Sequence, residues 1–132
     1  MSPQEYISQQ PADRKFIMNA LHEVIIGNDQ SVTPVVEPMM GKEMILYKEC
    51  NTMKYGLAAV KSHLSLHCLP IYMNPALHEK YLALLPKAKV QKGCINFTGT
   101  DDFPIDIAAS LIADCAPVNI AAVLENRKKS KK

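Results

Sequence analysis

The stretch MKYGLAAVKSHLSLHCLP, residues 53–70, decides the fold of this chain. Its second half alternates apolar with polar side chains at a period of two, which is typical of a half-buried β-strand. The first half is also strand-forming, and Lys61 and Ser62 separate the two halves. We therefore predict a β-hairpin with this dipeptide at its tip.

The position of the tip also fixes which residues of the hairpin lie opposite each other. Leu57 then faces Leu66, and Tyr55 faces Cys68, because opposed positions move away from the tip in step. Large apolar side chains therefore share one face, which we assign to the hydrophobic core. The other face collects small and weakly polar residues that suit solvent or a partner: Gly56, Ala58, Val60, His63, Ser65 and His67.

The composition is that of an ordinary globular domain. The chain has 132 residues, of which 48% are hydrophobic and 21% charged, enough for one core. No apolar run approaches the roughly 20 residues that cross a bilayer, and the first ten residues lack the features of a secretory signal. Four widely separated cysteines without paired spacing predict thiols in a reducing, cytoplasmic setting.

The positive charge is concentrated at the C-terminus. The formal net charge is +2, but five of the 15 Lys and Arg residues fall in the last six positions, which leaves the rest of the chain negative. We predict a single domain over residues 1–126 and a flexible basic tail over residues 127–132. The negative body predicts no nucleic-acid binding, which requires clustered Lys and Arg.

Several helix starts are visible along the chain. Ser2 and Glu5 predict a capped opening helix, and a second helix follows Pro11, with an apolar stripe running to Ile25 and Gly27 at its end. Asn74 begins another helix. Pro104 opens a further helix, and Pro117 separates it from a last helix that ends near residue 126.

Between these helices lie the predicted strands. Residues 32–48 contain Pro34 and Pro38, which favour irregular or edge strands. Residues 93–98 are predicted as a further strand, because Ile95 and Phe97 alternate with Cys94 and Asn96. Consecutive strands with short turns predict an antiparallel sheet. We therefore predict a two-layer α+β fold in which N- and C-terminal helices pack on one face of the sheet.

No catalytic, metal or cofactor site is predicted from the residues. His63 and His67 share a strand face but lie about 13 Å apart, too far to hold one ion together. Cys50, Cys68 and Cys115 are assigned to the core. Cys94 is assigned as a buried thiol, with a pKa lowered by a nearby lysine as the alternative. The acids before Pro104 are assigned to helix entry, and the protein is predicted not to be an enzyme.

Three blocks of the sequence resemble the YdhG-like family, small bacterial domains mostly of unknown function. The blocks are VVEPMMGKEMILY at 35–47, MKYGLAAVKSHLSLH at 53–67 and LPKAKVQKGCINF at 85–97. The resemblance implies a fold similar to frataxin. One branch of that family is regarded as an iron chaperone that delivers iron for iron–sulfur cluster or haem assembly, which is the alternative function.

The leading hypothesis is a non-catalytic cytoplasmic domain that binds a small ligand or a protein partner over the open hairpin face. Self-association into a homodimer through the same face competes with it. The residues predicted to line the binding face are Gly56, Ala58, Ser65, His67, Lys92 and Asn96.

Overall fold

In a computed structural model that describes residues 1–39, 41–120 and 122, five helices and six strands are formed. The helices are α1 (Pro3–Ser8), α2 (Ala12–Asn28), α3 (Leu69–Met73), α4 (Pro75–Leu84) and α5 (Ile105–Cys115). The strands are β1 (Thr33–Met39), β2 (Lys42–Glu49), β3 (Thr52–Ala59), β4 (Leu64–Cys68), β5 (Lys89–Val90) and β6 (Cys94–Phe97).

The strands form one antiparallel sheet in the order β1-β2-β3-β4-β6-β5. The predicted hairpin register is confirmed, because Tyr55 pairs with Cys68 and Leu57 pairs with Leu66. The proline-containing strand β1 is an edge strand, as expected for residues that cannot donate to a ladder. Strand β2, in contrast, lies inside the sheet.

One face of the sheet and all five helices share the main hydrophobic core. Alternate residues of the central strands point into it, including Ile45, Leu57, Leu66 and Ile95, each at most 1% exposed. Every helix contributes buried apolar residues to this cluster. The fold is therefore a two-layer α+β arrangement with an open sheet, as predicted, and we call the face away from the helices the outer face.

The outer face has a small apolar cluster of its own. Met44, Leu46 and Ala58 are buried there, and Val35, Met39 and Met53 pack against them. All of these residues belong to strands, so the described helices contribute nothing to this cluster. The methionines fill the space beside a row of small side chains, which matches the packing role of a flexible thioether.

Two helix starts are confirmed in atomic detail. Ser2 and Glu5 form a reciprocal capping box at α1, and Asn74 accepts hydrogen bonds from the backbone N–H groups of Ala76 and Leu77 at α4. Each cap satisfies N–H groups that have no partner within the helix. Positions 120 and 122 are helical, whereas the rest of the predicted closing helix and the basic tail lie outside the described residues.

Two predictions about local conformation were wrong. Gly27 lies inside α2, which ends at Asn28, and its φ is not positive. Cys50, which was assigned to the core, is exposed in the β2–β3 turn, where Cys50 and Asn51 have φ values of 50° and 65°. Positive φ at both central residues is the geometry of a type I′ hairpin turn, and the Cys50 thiol lies exposed at this turn rather than in the core.

A β-bulge sends Lys54 to the helical side of the sheet. Tyr47 pairs with Tyr55, but Lys48 pairs with Met53, so Lys54 is the extra residue on β3. An extra residue interrupts the alternation of faces. As a result Lys54 and its neighbour Tyr55 both enter the interior, where Lys54 is 0% exposed.

The buried Lys54 ammonium is held by two carboxylates. Its Nζ lies 2.8 Å from an oxygen of Asp29 and 3.3 Å from an oxygen of Glu49, and it also donates to the carbonyl of Ala116 at 3.1 Å. Glu49 in turn accepts from the backbone N–H of Ile120 at 2.8 Å. This network joins the end of α2, the sheet and the chain that follows α5.

The same network determines the charge state of Asp29. Burial alone would raise the pKa of Asp29, but hydrogen bonds from Lys54, Ser31 and Tyr55 outweigh burial and hold the pKa below its ordinary value. The Tyr55 hydroxyl donates to this carboxylate at 2.7 Å, and the Ser31 hydroxyl lies 2.6 Å from its other oxygen. Asp29 therefore remains ionised beside the lysine it neutralises.

His22 is also buried, although the sequence pattern of α2 placed it outside the apolar stripe. The His22 side chain is 2% exposed, and its Nδ1 lies 2.8 Å from the Tyr47 hydroxyl, which is a hydrogen-bond distance. Burial lowers the pKa of His22, and the charge of neighbouring Glu23 opposes this only in part. The imidazole is therefore neutral at pH 7.

We expect Lys54→Met to lower the free energy of unfolding by about 3–5 kcal/mol, because it leaves two buried carboxylates without their cation. The matched control is Lys48→Met. The Lys48 pair with Glu37 is shorter than either Lys54 pair, 2.6 Å, but its side chains are 26% and 42% exposed, so its loss should cost about 0–1 kcal/mol. Urea unfolding followed by circular dichroism measures both, and equal small losses would contradict the structural role of Lys54.

The lowered pKa of His22 predicts a loss of stability on acidification. Below the ordinary value of 6.5, the unfolded chain takes up a proton that the folded protein resists, so stability falls with a slope of at most about 1.4 kcal/mol per pH unit for this group. His22→Gln should flatten this decline between pH 7 and pH 5. Asn19→Gln, at an exposed position of the same helix, should keep the original slope; the same slope in both variants would be inconsistent with this role of His22.

Candidate functional site

Five of the six predicted binding residues lie together on the outer face. Gly56 pairs with His67, Ala58 pairs with Ser65, and Ser65 pairs with Asn96 on the next strand. Opposed residues in an antiparallel sheet project to the same side. The five residues therefore form two neighbouring rows across β3, β4 and β6.

Three of these five residues are already buried by their neighbours. Ala58 is 3% and Ser65 6% exposed, and Gly56 is buried as well. A Cβ atom added to Gly56 would lie 3.3 Å from the sulfur of Met44 and 3.4 Å from that of Met53. The methionines thus occupy the place that the missing side chain leaves, and the accessible part of the rows is the end formed by His67 and Asn96.

A short hydrogen bond orients Asn96. The Ser65 hydroxyl donates to Oδ1 of Asn96 at 2.7 Å, and the strand pairing holds the two residues side by side. In this structure the amide oxygen of Asn96, and not its nitrogen, faces the Ser65 hydroxyl. The Asn96 amide nitrogen then has no acceptor among the described residues, and it remains a donor for a bound molecule.

His67 is half-buried and lies between Gly56 of β3 and Cys94 of β6, with which it is paired across the strands. Burial lowers the pKa of His67 below its ordinary value, so the ring is neutral at pH 7. A neutral imidazole offers one donor and one acceptor. This position therefore suits a polar contact rather than a charged one.

Cys94 has the chemistry of a protonated thiol. Its sulfur donates to the side-chain oxygen of Gln91 at 3.0 Å, and burial raises the pKa of Cys94. The alternative that nearby Lys92 lowers this pKa is therefore wrong, because desolvation acts in the opposite direction. Little reactive thiolate is present at neutral pH.

Lys92 does not join the other five predicted residues. It lies between β5 and β6 and is exposed. Its side chain borders a separate depression of about 310 Å³ beside α3 and α4. The other residues around that depression are Ile71, Tyr72, Pro75, His78 and Glu79. Lys87, Lys89 and Lys92 lie close together in the sequence, but Lys87 and Lys89 border a different cavity from Lys92.

A cavity opens at the Asn96 end of the outer face, and most of its residues were not predicted from the sequence. Its volume is about 310 Å³. The hairpin tip, the segment before β5 and the end of β6 meet there. Its lining consists of His63, Lys87, Lys89, Asn96, Phe97, Thr98 and Asp102.

Strand pairing explains how this cavity assembles. Lys89 lies directly opposite Asn96, and Asn96 lies opposite Ser65. Lys89 of β5 therefore projects to the outer face, as Asn96 and Ser65 do. The pairing of β5 with β6 was not predicted from the sequence, because β5 has only two residues. A strand this short leaves no periodicity in the sequence.

Asp102 has a different role from the one predicted for it. One of its carboxylate oxygens accepts both the backbone N–H of Thr98 at 2.9 Å and the hydroxyl of Thr98 at 2.7 Å. These bonds hold the pKa of Asp102 below its ordinary value, and the charge of Lys87 adds to the effect. The carboxylate thus closes the loop after β6, whereas the acidic residue in the first turn of α5 is Asp106.

Within residues 1–39, 41–120 and 122, no group of three or more His, Cys, Asp or Glu side chains could hold a metal ion. The same part of the chain contains no helix with the length and apolar character needed to cross a bilayer. Comparisons with protein-family models, with curated proteins and with solved structures found no match to this chain.

Proposed function

We propose that this protein is a non-catalytic domain that binds a small polar ligand on its outer face, at the junction of β4 and β6. The supporting observation is the cavity of about 310 Å³ whose wall carries Asn96, with an amide nitrogen that has no acceptor among the described residues. An unsatisfied donor at the edge of a cavity can be used directly by a ligand.

The dimensions favour a small ligand over a protein partner. Small-molecule sites begin at roughly 300 Å³, and this cavity is at that lower limit. A stable protein interface buries about 800 Å² on each partner. Three of the five predicted residues on the outer face, Gly56, Ala58 and Ser65, are already buried and would add little to such an interface.

The chemistry of the residues supports binding rather than catalysis. Cys94 is held as a thiol by its raised pKa. Ser62 lies 2.9 Å from Nδ1 of His63, but the two residues are neighbours at the exposed hairpin tip, and the described contacts include no carboxylate on this imidazole. An activated nucleophile needs a base that a third group orients.

A reducing, cytoplasmic location belongs to the same proposal. The four cysteines are free, including Cys68 and Cys115, whose sulfurs lie 3.7 Å apart in the core. Buried neighbouring thiols are typical of proteins kept in a reducing environment. Membership of the YdhG-like family remains part of the proposal, and no observation specifically favours the iron-delivery alternative.

A screen of small polar fragments by ¹⁵N–¹H correlation spectra tests the site. We expect binders to shift the side-chain amide of Asn96 and the backbone signals of β4 and β6. Asn96→Leu removes the free donor and fills the entrance, so affinity should fall by about tenfold or more, the equivalent of one lost hydrogen bond of about 1.4 kcal/mol.

Thr33→Leu is the matched control, because Thr33 is exposed on β1 at the opposite edge of the sheet and borders another depression. The Thr33→Leu variant should bind each fragment with an affinity within about twofold of that of the original protein, which is much less than the tenfold change expected for one lost hydrogen bond. The proposal fails if no fragment binds, or if Thr33→Leu abolishes binding while Asn96→Leu leaves it intact.

A further inference from the structure

We infer that the cavity beside Asn96 binds a small organic anion, with a phosphate monoester as the best-fitting class. The inference rests on the proposed function and adds the chemical nature of the ligand. It is carried by the position of two lysines, a histidine and an amide donor around one cavity of about 310 Å³.

The two lysines carry the main electrostatic argument. Lys87 and Lys89 both border the cavity and are exposed. Neither lies within 4.0 Å of a carboxylate among the described residues, in contrast to Lys48, Lys54 and Lys80, which form ion pairs. Lys87 acts on the Asp102 carboxylate at longer range, but neither ammonium is held in an ion pair, so both can attract an anion, and lysine binds phosphate as a point charge.

An amide and an imidazole complete the site. The Ser65 hydroxyl fixes the Asn96 oxygen, which leaves the amide N–H groups of Asn96 to donate to a ligand oxygen. Nδ1 of His63 contacts the Ser62 hydroxyl, so Nε2 is the ring nitrogen left to face the cavity. The Asn96 amide on β6 and, in the tautomer in which Nδ1 accepts from Ser62, the Nε2–H group of His63 at the hairpin tip can thus donate to anionic oxygens.

Asp102 limits the positive charge of the cavity. Its carboxylate borders the same space but directs one oxygen to the two Thr98 donors. The net charge of the two lysines and Asp102 is therefore positive. Since Asp102 must still repel an anion, neutralising it should strengthen binding, which gives a gain-of-affinity test.

The volume limits the size of the ligand. At about 30 Å³ for each water in the liquid, 310 Å³ corresponds to about ten waters. A phosphate group with a body of three or four carbon atoms fits this space. A nucleotide would extend well beyond it.

Glycerol 3-phosphate is a suitable probe, with glycerol as its uncharged counterpart. ¹⁵N–¹H titrations at constant ionic strength should show saturable shifts at Asn96, Thr98 and Lys89 with the phosphate and none with glycerol. Lys89→Gln should weaken binding about fivefold, the effect of one unit charge at roughly 4 Å in water. Asp102→Asn keeps an oxygen for Thr98 and should strengthen binding about threefold.

Lys15→Gln, at an exposed position on α2, should leave the affinity unchanged. The inference is overturned if glycerol binds as well as the phosphate, if Lys15→Gln weakens binding as much as Lys89→Gln, or if Asp102→Asn weakens it. If neutral fragments shift Asn96 but glycerol 3-phosphate does not, the anion inference fails and the proposed function stands. If neither binds, both fail.

Discussion

The alternation of side chains along β4, β6 and the part of β3 that follows Lys54 is the constraint on which the rest of the structure depends. Leu57, Leu66 and Ile95 lie in one cross-strand row on the helical face, and all are at most 1% exposed. Their immediate neighbours must then point the other way. A shift of one residue in either pairing would move this row into water, so core burial also fixes the composition of the outer face.

The one break in the alternation has a structural role. The bulge at Lys54 places an ammonium inside the core, where Asp29 and Glu49 compensate it. Burying three charged groups is costly, but the geometry connects the sheet to the end of α2 and to the backbone at Ala116 and Ile120. The helical side is thus fixed by polar bonds as well as packing, whereas the small cluster on the outer face consists of strand residues among the described part of the chain.

The sequence predicted the features that depend on local pattern. The hairpin register, the caps at Ser2 and Asn74 and the α+β class follow from alternation and from side chains that bond within a few residues. It did not predict the burial of Lys54, because a bulge reverses the expected face without changing composition. His22 was missed because a polar residue four positions after Met18 was assigned to solvent.

The candidate site was predictable only in part. Ser65, His67 and Asn96 followed from the pleat, but the cavity also needs Lys89 from a two-residue strand and Asp102 from a loop. Their proximity depends on the pairing of β5 with β6, which carries no periodic signal. Lys92 was predicted to line the site, although its position after β5 places it beside the depression at α3 and α4.

Solvent paramagnetic relaxation is the most direct test of the two faces. With a soluble gadolinium chelate, the account predicts strong relaxation of the Asn96 side-chain amide and little relaxation of the methyl groups of Leu66 and Ile95. Equal relaxation of those methyl groups and the Asn96 amide would contradict the assignment of the core to one face and the binding site to the other.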